Sequence, residues 1–519
     1  MLWRTHSFLC VVLLSGRIAS QQPDWEWARA VLGNSYDRFW HLTTDAAGNV
    51  YASGELLSDT AWFDGVPVVR PVGVTTASFL VMYNWLGTPQ WGLGLQGPPM
   101  QLWRGGAGDV LGNSIFTGTY ASPDTTLLSP GNWSYQCSTI SSAGSISQAI
   151  VLMALVPVSN TSGPPIALPD TSFGLTMVAS FGDSLPIGDT THHAIEDAVV
   201  VARYTNSGIL EWSNHLVDGI PGGSGLAKGA ELAGSGAVGV YGVFSSFAQL
   251  GDSLSFGGFT TQYMTSTTPT GGNGITLLPS MSVNEGPGAF GWDNNAHAVL
   301  AGEYYDWPAA YSYTASYNSA SQVLWGVSTG PCSGTSPNDL AFDDVGATYV
   351  SGTGYNCTPS CGGSGFGVSP SAFVQRIDSA GACEWTVSAD YGNIWHSYVY
   401  VHSPYTQYVS GWYDTFAAFG PDTLPEPYNP NSFGAFIAKL STFTVEVPAT
   451  VKHTERLQPN PTNGSVQVPS CSSTVLVSDA SGRQLVALQC ATGTLDLSHL
   501  APGLYFLTWA GQTQRLIKE

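Results

Sequence analysis

One short pattern recurs along this chain at a nearly fixed interval, and that interval restricts the possible folds more than any other feature. A Gly or Ser ends a Tyr- or Val-rich, strand-like run at Gly54, Gly118, Ser180, Gly242, Gly302, Gly352 and Gly411. The successive steps are 64, 62, 62, 60, 50 and 59 residues. Nine positions before most of these lies a turn residue, often with a glycine three later: Asp45/Gly48, Asp109/Gly112, Thr171/Gly174, Ala233/Gly236 and Asp343/Gly346. An Asp-x-x-Gly turn joins two strands because the aspartate caps backbone amides and the glycine takes the left-handed conformation. Asp293 keeps the first position without the glycine, and His402 keeps neither.

Downstream the copies share a Phe-Gly or Leu-Gly step, an apolar strand, and a Gly-containing turn leading to Trp91, Trp212, Trp325 or Trp385. Seven supersecondary units of this kind form a ring or a solenoid. Each offers about four strands, the content of a propeller blade. The last copy ends near Leu440 without its own Trp strand, while residues 25–32 (WEWARAVL) stand alone before the first copy. One strand missing at the end and one spare at the start is what closure of a ring requires. The expected fold is therefore all-β: a seven-bladed β-propeller over residues 21–443, followed by a small Ig-like β-sandwich over 444–519. The alternating apolar runs and Gly/Asn turns after residue 448 carry the second expectation.

The pattern Asp-x-x-Gly-Asn-Val-Tyr-x-x-Gly, then Phe-Gly, then Phe-Val-x-x-Tyr/Ile, then Gly-x-x-x-Trp resembles the SBBP-type bacterial β-propeller repeats. That resemblance is clearest in the first and sixth copies and implies a scaffold or binding surface rather than one chemistry. The end of the chain reads PNPTNG at 459–464, DASGRQL at 479–485, LDLSHLAPGLYFL at 495–507 and a final basic strand. These four motifs, in this order, resemble the type A sorting domain of the type IX secretion system of Bacteroidota. The matching positions are Pro459, Asn460, Pro461, Gly464, Gly482, Gly503 and Lys518. The resemblance implies that the type IX machinery is a partner and that the protein is secreted or held at the outer cell surface. It also implies that the sorting domain is usually cut off, the passenger being released or joined to surface polysaccharide. Cys471 and Cys490 are additions to the family pattern and are expected to pair with each other.

The N-terminus reads as an export signal ending at residue 20. Arg4 precedes an apolar stretch over residues 8–14, and Ile18-Ala19-Ser20 precedes a plausible cut. The stretch is too short to span a bilayer, and no later segment approaches a membrane-spanning length. In the exported chain a bond is expected within the sixth repeat, either Cys357–Cys361 or Cys332–Cys383, with Cys137 free.

Fifteen Lys and Arg stand against 36 Asp and Glu, a net charge of −21. Such a chain repels phosphate backbones, so a nucleic-acid partner is not expected. No nucleophile elbow, zincin helix or phosphate loop is present, and no metal or cofactor is expected. His192-His193 are adjacent on a strand and point to opposite faces, which makes them poor co-ligands. The strands preceding the Asp-x-x-Gly turns begin near the mouth of a propeller channel and carry His41, Arg104, Lys228, Asp339 and His396. Four potentially cationic groups and one acid there suit a small anionic or sugar-acid ligand; the alternative is that they satisfy one another and channel water. Two functions follow: a non-catalytic binding protein, adhesin-like or carbohydrate-binding, or a glycan-degrading hydrolase or lyase at the propeller mouth.

Overall fold

The computed structural model describes residues 22–442, 457 and 460–519, apart from short stretches mostly in connections, of which 358–368, 122–131, 278–286 and 158–165 are the longest. For the strands between 103 and 157 only the backbone is described. Among the described residues there is no helix, and the chain divides into two compact units, Met1–Phe443 and Thr444–Glu519. The expected signal residues, Cys471, Cys490, Pro459 and Gly482 lie outside the described residues.

The first sheet of the larger unit is a meander of Arg38–Thr44, Val50–Leu56, Ala77–Tyr83 and Pro89–Leu95, each antiparallel to the next. Four-stranded meanders recur over residues 103–157, 166–219, 225–277, 287–332 and 334–388. The seventh sheet has only three such strands of its own, Tyr391–Ser403, Thr406–Phe419 and Gly434–Ser441. Its fourth is Asp24–Leu32, with Trp25 opposite Leu440 and Ala30 opposite Phe436. The spare N-terminal strand thus completes the last sheet, as the count of strands in the sequence anticipates. The hairpin Thr60–Phe63/Val66–Val69 then pairs with Val31 and Leu32, partly covering the edge that this strand would otherwise leave open.

Successive sheets pack face to face. All seven positions of Ala77–Tyr83 are buried, which requires cover on both faces and explains a run of apolar residues without alternation. The first strands of successive sheets touch in order from Arg38–Thr44 through Tyr391–Ser403, and the last of them touches Arg38–Thr44 again. Tryptophans bind the same neighbours together. A Cβ added to Gly144 would strike the Trp91 ring, one on Gly271 the Trp212 ring, and one on Gly381 the Trp325 ring. In each case the Trp belongs to one sheet and the left-handed glycine to the last turn of the next. Trp27, on the N-terminal strand, meets Gly87 of the first sheet in the same way. The contact between the seventh sheet, through its N-terminal strand, and the first sheet is therefore built like the others.

The repeated Asp turns form for the expected reason. Asp45 Oδ1 accepts the amides of Ala47 and Asn49, at 2.9 and 3.0 Å, and Gly48 has φ +78°. Asp293 and Asp343 cap their turns identically. The strand-ending glycine has a second cause. Most first strands carry a β-bulge, and it throws a carbonyl over that glycine: a Cβ on Gly54, Gly352 or Gly411 would overlap the oxygen of Arg38, Ser336 or His396. Where Ser180 replaces the glycine, the short first strand Ile166–Pro169 pairs regularly and stops at Val178, short of the serine.

The disulfide of the sixth sheet differs from both expected pairings: Cys332 is bonded to Cys357. Cys332 ends the preceding sheet, and Gly334 pairs with Tyr355, so the two cysteines flank the closed end of one ladder. The strand pairing brings these two together, which overturns both alternatives, Cys357–Cys361 and Cys332–Cys383. Cys383 is disulfide-bonded as well.

In the smaller unit, Gln484–Gln489, Thr474–Asp479, Gly503–Trp509 and Gln512–Lys518 form one sheet, and Ser465–Gln467 pairs with Thr494–Asp496 in another. Val466, Val475, Val477, Leu497, Leu507 and Leu516 fill the core. The motif residues have structural work. Asn460 holds the last strand from both sides of its amide group, donating to Arg515 O at 2.7 Å and accepting from Ile517 N at 3.0 Å. Gly464 O receives the Leu497 amide, and Lys518 is buried beside Thr462.

Candidate functional site

The first strands do not present the five candidate residues at one level. Arg38 pairs with Glu55 and His396 with Trp412, the residues following Gly54 and Gly411, so Arg38 and His396 are equivalent. His41 and Asp339 pair with Ser53 and Ser351, the residues before Gly54 and Gly352, beyond the bulge. Lys228 is the bulge residue of its strand, and Arg104 lies within the bulge between Trp103 and Gly106. Their side chains lie outside the described residues. The structure therefore groups His396 with Arg38, a residue the repeat alignment passes over, and separates it from His41.

Around that pair, the seam between the first and seventh sheets concentrates aromatic and titratable groups. The His396 ring stacks on Trp412 with centroids 4.3 Å apart. Arg38 places its guanidinium carbon 5.3 Å from the centre of the same indole. Trp40 stands 6.0 Å and Tyr398 6.2 Å from it. Trp412 is buried, whereas Arg38, Trp40, His396 and Tyr398 are only partly so. Burial, and then the Arg38 charge, push the His396 imidazole below its ordinary range, so it is neutral at pH 7. Burial likewise pushes Glu55 up, against the opposing pull of Arg38, with Asp37 adding a smaller upward push. Asp37 is itself buried and pushed up, although the Ser58 hydroxyl and the Leu57 and Ser58 amides all donate to it.

A bulge also shapes the outer part of this seam. Trp40 is the extra residue between Phe39 and His41, and Trp395 the extra residue between Ile394 and His396. Bulges re-aim side chains out of the pleat, and Trp395 is 45% exposed. Tyr391 (54%) and Phe416 (42%) are exposed on the same sheet, edge to face at 5.7 Å. Asp414 Oδ2 accepts from Asn393 Nδ2 at 2.7 Å and from the Trp395 indole N–H at 3.1 Å, while its Oδ1 is buried with no hydrogen-bond partner. The arrangement is an aromatic shelf with a fixed carboxylate at its margin. The sequence does carry a signal for it: an apolar residue followed by Trp-His occurs in both seam strands, at 39–41 and 394–396.

Asp339 plays another part. Its Oδ2 accepts the Val399 amide across the sixth and seventh sheets at 3.0 Å, and burial pushes its carboxyl up to about 7. Asp343, Tyr349 and Arg376 form a second buried set, with Arg376 3.0 Å from Asp343 Oδ2 and also paired with Glu384. His192 stacks on His215 of a neighbouring strand at 4.7 Å rather than acting with His193. Among the described residues no cluster of three or more His, Cys, Asp or Glu has the makings of a metal site.

Residues 456–519 match the family described as the secretion system C-terminal sorting domain. No curated protein matches the chain. Among solved structures, it is similar to the polysaccharide lyase Uly1 at 12% identity and a TM-score of 0.42, over 82% of this chain and 94% of that one. A protein of unknown function from Dyadobacter fermentans is similar at 9% identity and 0.38, over 81% and 99%. PorZ, a surface component of the type IX secretion system of Porphyromonas gingivalis, is similar at 10% and 0.29, over 91% and 73%. Likenesses this weak identify no activity. Among the described residues no helix is long and apolar enough to cross a membrane. The sorting-domain match is of a different order, since it covers the segment with all four terminal motifs: the C-terminal unit is a type IX secretion sorting domain, and the protein is exported and attached to, or released from, the cell surface.

Proposed function

We propose that this protein is an exported seven-bladed propeller that binds glycans without modifying them, an adhesin-like module carried through the type IX machinery by an Ig-like sorting domain. The seven meanders, the closing N-terminal strand and the return of the first-strand contacts to their start support the propeller. The observation that carries the binding reading is the shelf on the seventh sheet. Pyranose rings present C–H faces that stack on exposed aromatic rings, and hydroxyls beside them need fixed acceptors. Tyr391, Trp395 and Phe416 supply the first, and Asp414, held by Asn393 and Trp395, supplies the second.

The test is a glycan array probed with the full-length protein, followed by titration of whatever binds. Trp395→Ala is expected to weaken binding about tenfold, as loss of a stacking contact worth roughly 1.5 kcal/mol would. Trp62→Ala, an exposed tryptophan on the separate outer hairpin, should leave binding unchanged. Equal affinity for Trp395→Ala and the parent would contradict the assignment.

One observation favours a second reading, a glycan-degrading hydrolase or lyase. Glu55 is a half-buried carboxyl pushed upward, close enough to Asp37 to feel its charge, and carboxyls held protonated by their surroundings serve as general acids. New reducing ends in a bound glycan, abolished by Glu55→Gln, would establish this reading in place of simple binding.

A further inference from the structure

We propose that the seam between the first and seventh sheets contains an oxyanion subsite, built on Arg38 and Trp40, for the carboxylate or sulfate group of an acidic glycan. It deepens the glycan reading above and rests on it. Two donors carry the argument. Arg38 Nε and the Trp40 indole N–H are both shut off from solvent, and neither has a hydrogen-bond partner. Arg38 makes no ion pair with any described residue; its guanidinium carbon lies 5.3 Å from the centre of the Trp412 ring. A buried donor without an acceptor carries the full cost of its lost hydration, and unpaired guanidinium groups in part-buried positions are uncommon because that charge needs an opposite one. Both donors stand against the same indole, Arg38 over its face and Trp40 at 6.0 Å between ring centres.

The neighbouring charges fit this assignment. The titratable groups that sense Arg38 are Glu55, across the strand pair, and His396 from the seventh sheet; Asp37, beside it in sequence, feels the Arg70 charge instead. None of the three is bonded to the guanidinium. Both carboxyls are pushed upward by burial, which weakens their claim on the cation, and His396 stays neutral beside it. Stacking on Trp412 fixes the plane of the guanidinium and leaves its N–H edge to a planar or tetrahedral oxyanion, the geometry arginine recognises best. The chain's net charge of −21 repels anions at long range. An anionic ligand therefore needs a specific, unpaired cation, and this seam provides one. Trp395 of the shelf precedes His396 of the seam in the same strand, so shelf and seam adjoin on the seventh sheet.

Intrinsic tryptophan fluorescence of the full-length protein, titrated separately with glucuronate, trigalacturonate, a sulfated disaccharide and a neutral oligosaccharide, tests the proposal. Trp40 and Trp412 lie in the site, and comparison with Arg38→Met separates their response from that of the other tryptophans among the chain's 17. The acidic ligands are expected to bind at least about tenfold more tightly than the neutral one. Arg38→Met should remove that preference without altering neutral binding. Arg38→Lys, which keeps the charge but loses Nε, should restore only part of it, and circular dichroism of each variant establishes folding. Whether trigalacturonate or the sulfated sugar binds better identifies the source of the oxyanion. Equal binding of acidic and neutral ligands, or an unchanged preference in folded Arg38→Met, overturns the subsite while leaving the shelf in place. Loss of neutral and polymeric binding with glucuronate still quenching the parent, but not Arg38→Met, would overturn the glycan reading and keep the oxyanion site.

Discussion

Asp339 is a buried carboxyl whose hydrogen bonds join two sheets, and its protonation has a definite consequence for stability. Burial raises its folded pKa to about 7, from the ordinary aspartate value of about 3.9. The folded state therefore binds the extra proton, and the stabilisation is fully present below about pH 4 and lost as the pH rises through 7. Asp339→Asn keeps an acceptor for the Val399 amide but removes the titration. The melting temperature of the variant should vary less than that of the parent between pH 4 and 7, and parallel profiles would contradict the assignment. His396 works in the opposite sense: its pKa is lowered, so the stability it contributes is present above about 6.5 and lost as the pH falls through the folded value. At this scale the sequence was only half legible. The capping aspartates Asp45, Asp293 and Asp343 could be read because turn chemistry is local. Arg38 could not, because a one-residue bulge changes which side chains share a level; Trp40 was marked only by the apolar-Trp-His run that its strand shares with the strand of Trp395.

The strand pairs and their turns explain the glycine period in two ways that are open to separate tests. Gly87 and Gly65 both have left-handed φ, +77° and +92°. Around Gly65 an added Cβ meets nothing within 4 Å, whereas at Gly87 it meets the fused-ring atoms of Trp27. Gly65→Ala should therefore cost about 1–2 kcal/mol for the backbone alone. Gly87→Ala should cost about 2–5 kcal/mol, since a rigid indole must also move. Chemical denaturation of the two variants checks this, and equal small losses would mean that Trp27 does not dock the first sheet. The recurring glycines at 54, 352 and 411 were visible in the sequence as a period. Their cause, a carbonyl of the first strand lying over each, required the bulge. The cysteine pairing was misjudged for a related reason: Cys332 and Cys357 are brought together by a ladder whose ends the sequence does not mark.

At the scale of the whole molecule, export and architecture come from different parts of the chain. The terminal motifs carry the address, and they were legible because Asn460, Gly464 and Lys518 hold a small local structure together. The larger unit depends on residues some 390 positions apart or more: Ala28 N donates to Asp422 at 2.8 Å, and Glu26 is paired with Lys439 at 2.6 Å. They close the seventh sheet, which supplies His396 and Trp412 to the seam with Arg38 and Trp40, so the proposed binding site depends on that closure. Native-state hydrogen exchange, followed by mass spectrometry of the secreted protein, tests that closure directly. The amides of Asp24–Leu32 and Gly434–Ser441 should be protected to the same degree and lose protection in one step as denaturant is added, because each is the other's partner. Rapid exchange of Asp24–Leu32 with Gly434–Ser441 still protected would show that the N-terminal strand is a free tail, and would remove both the ring and the site at its seam.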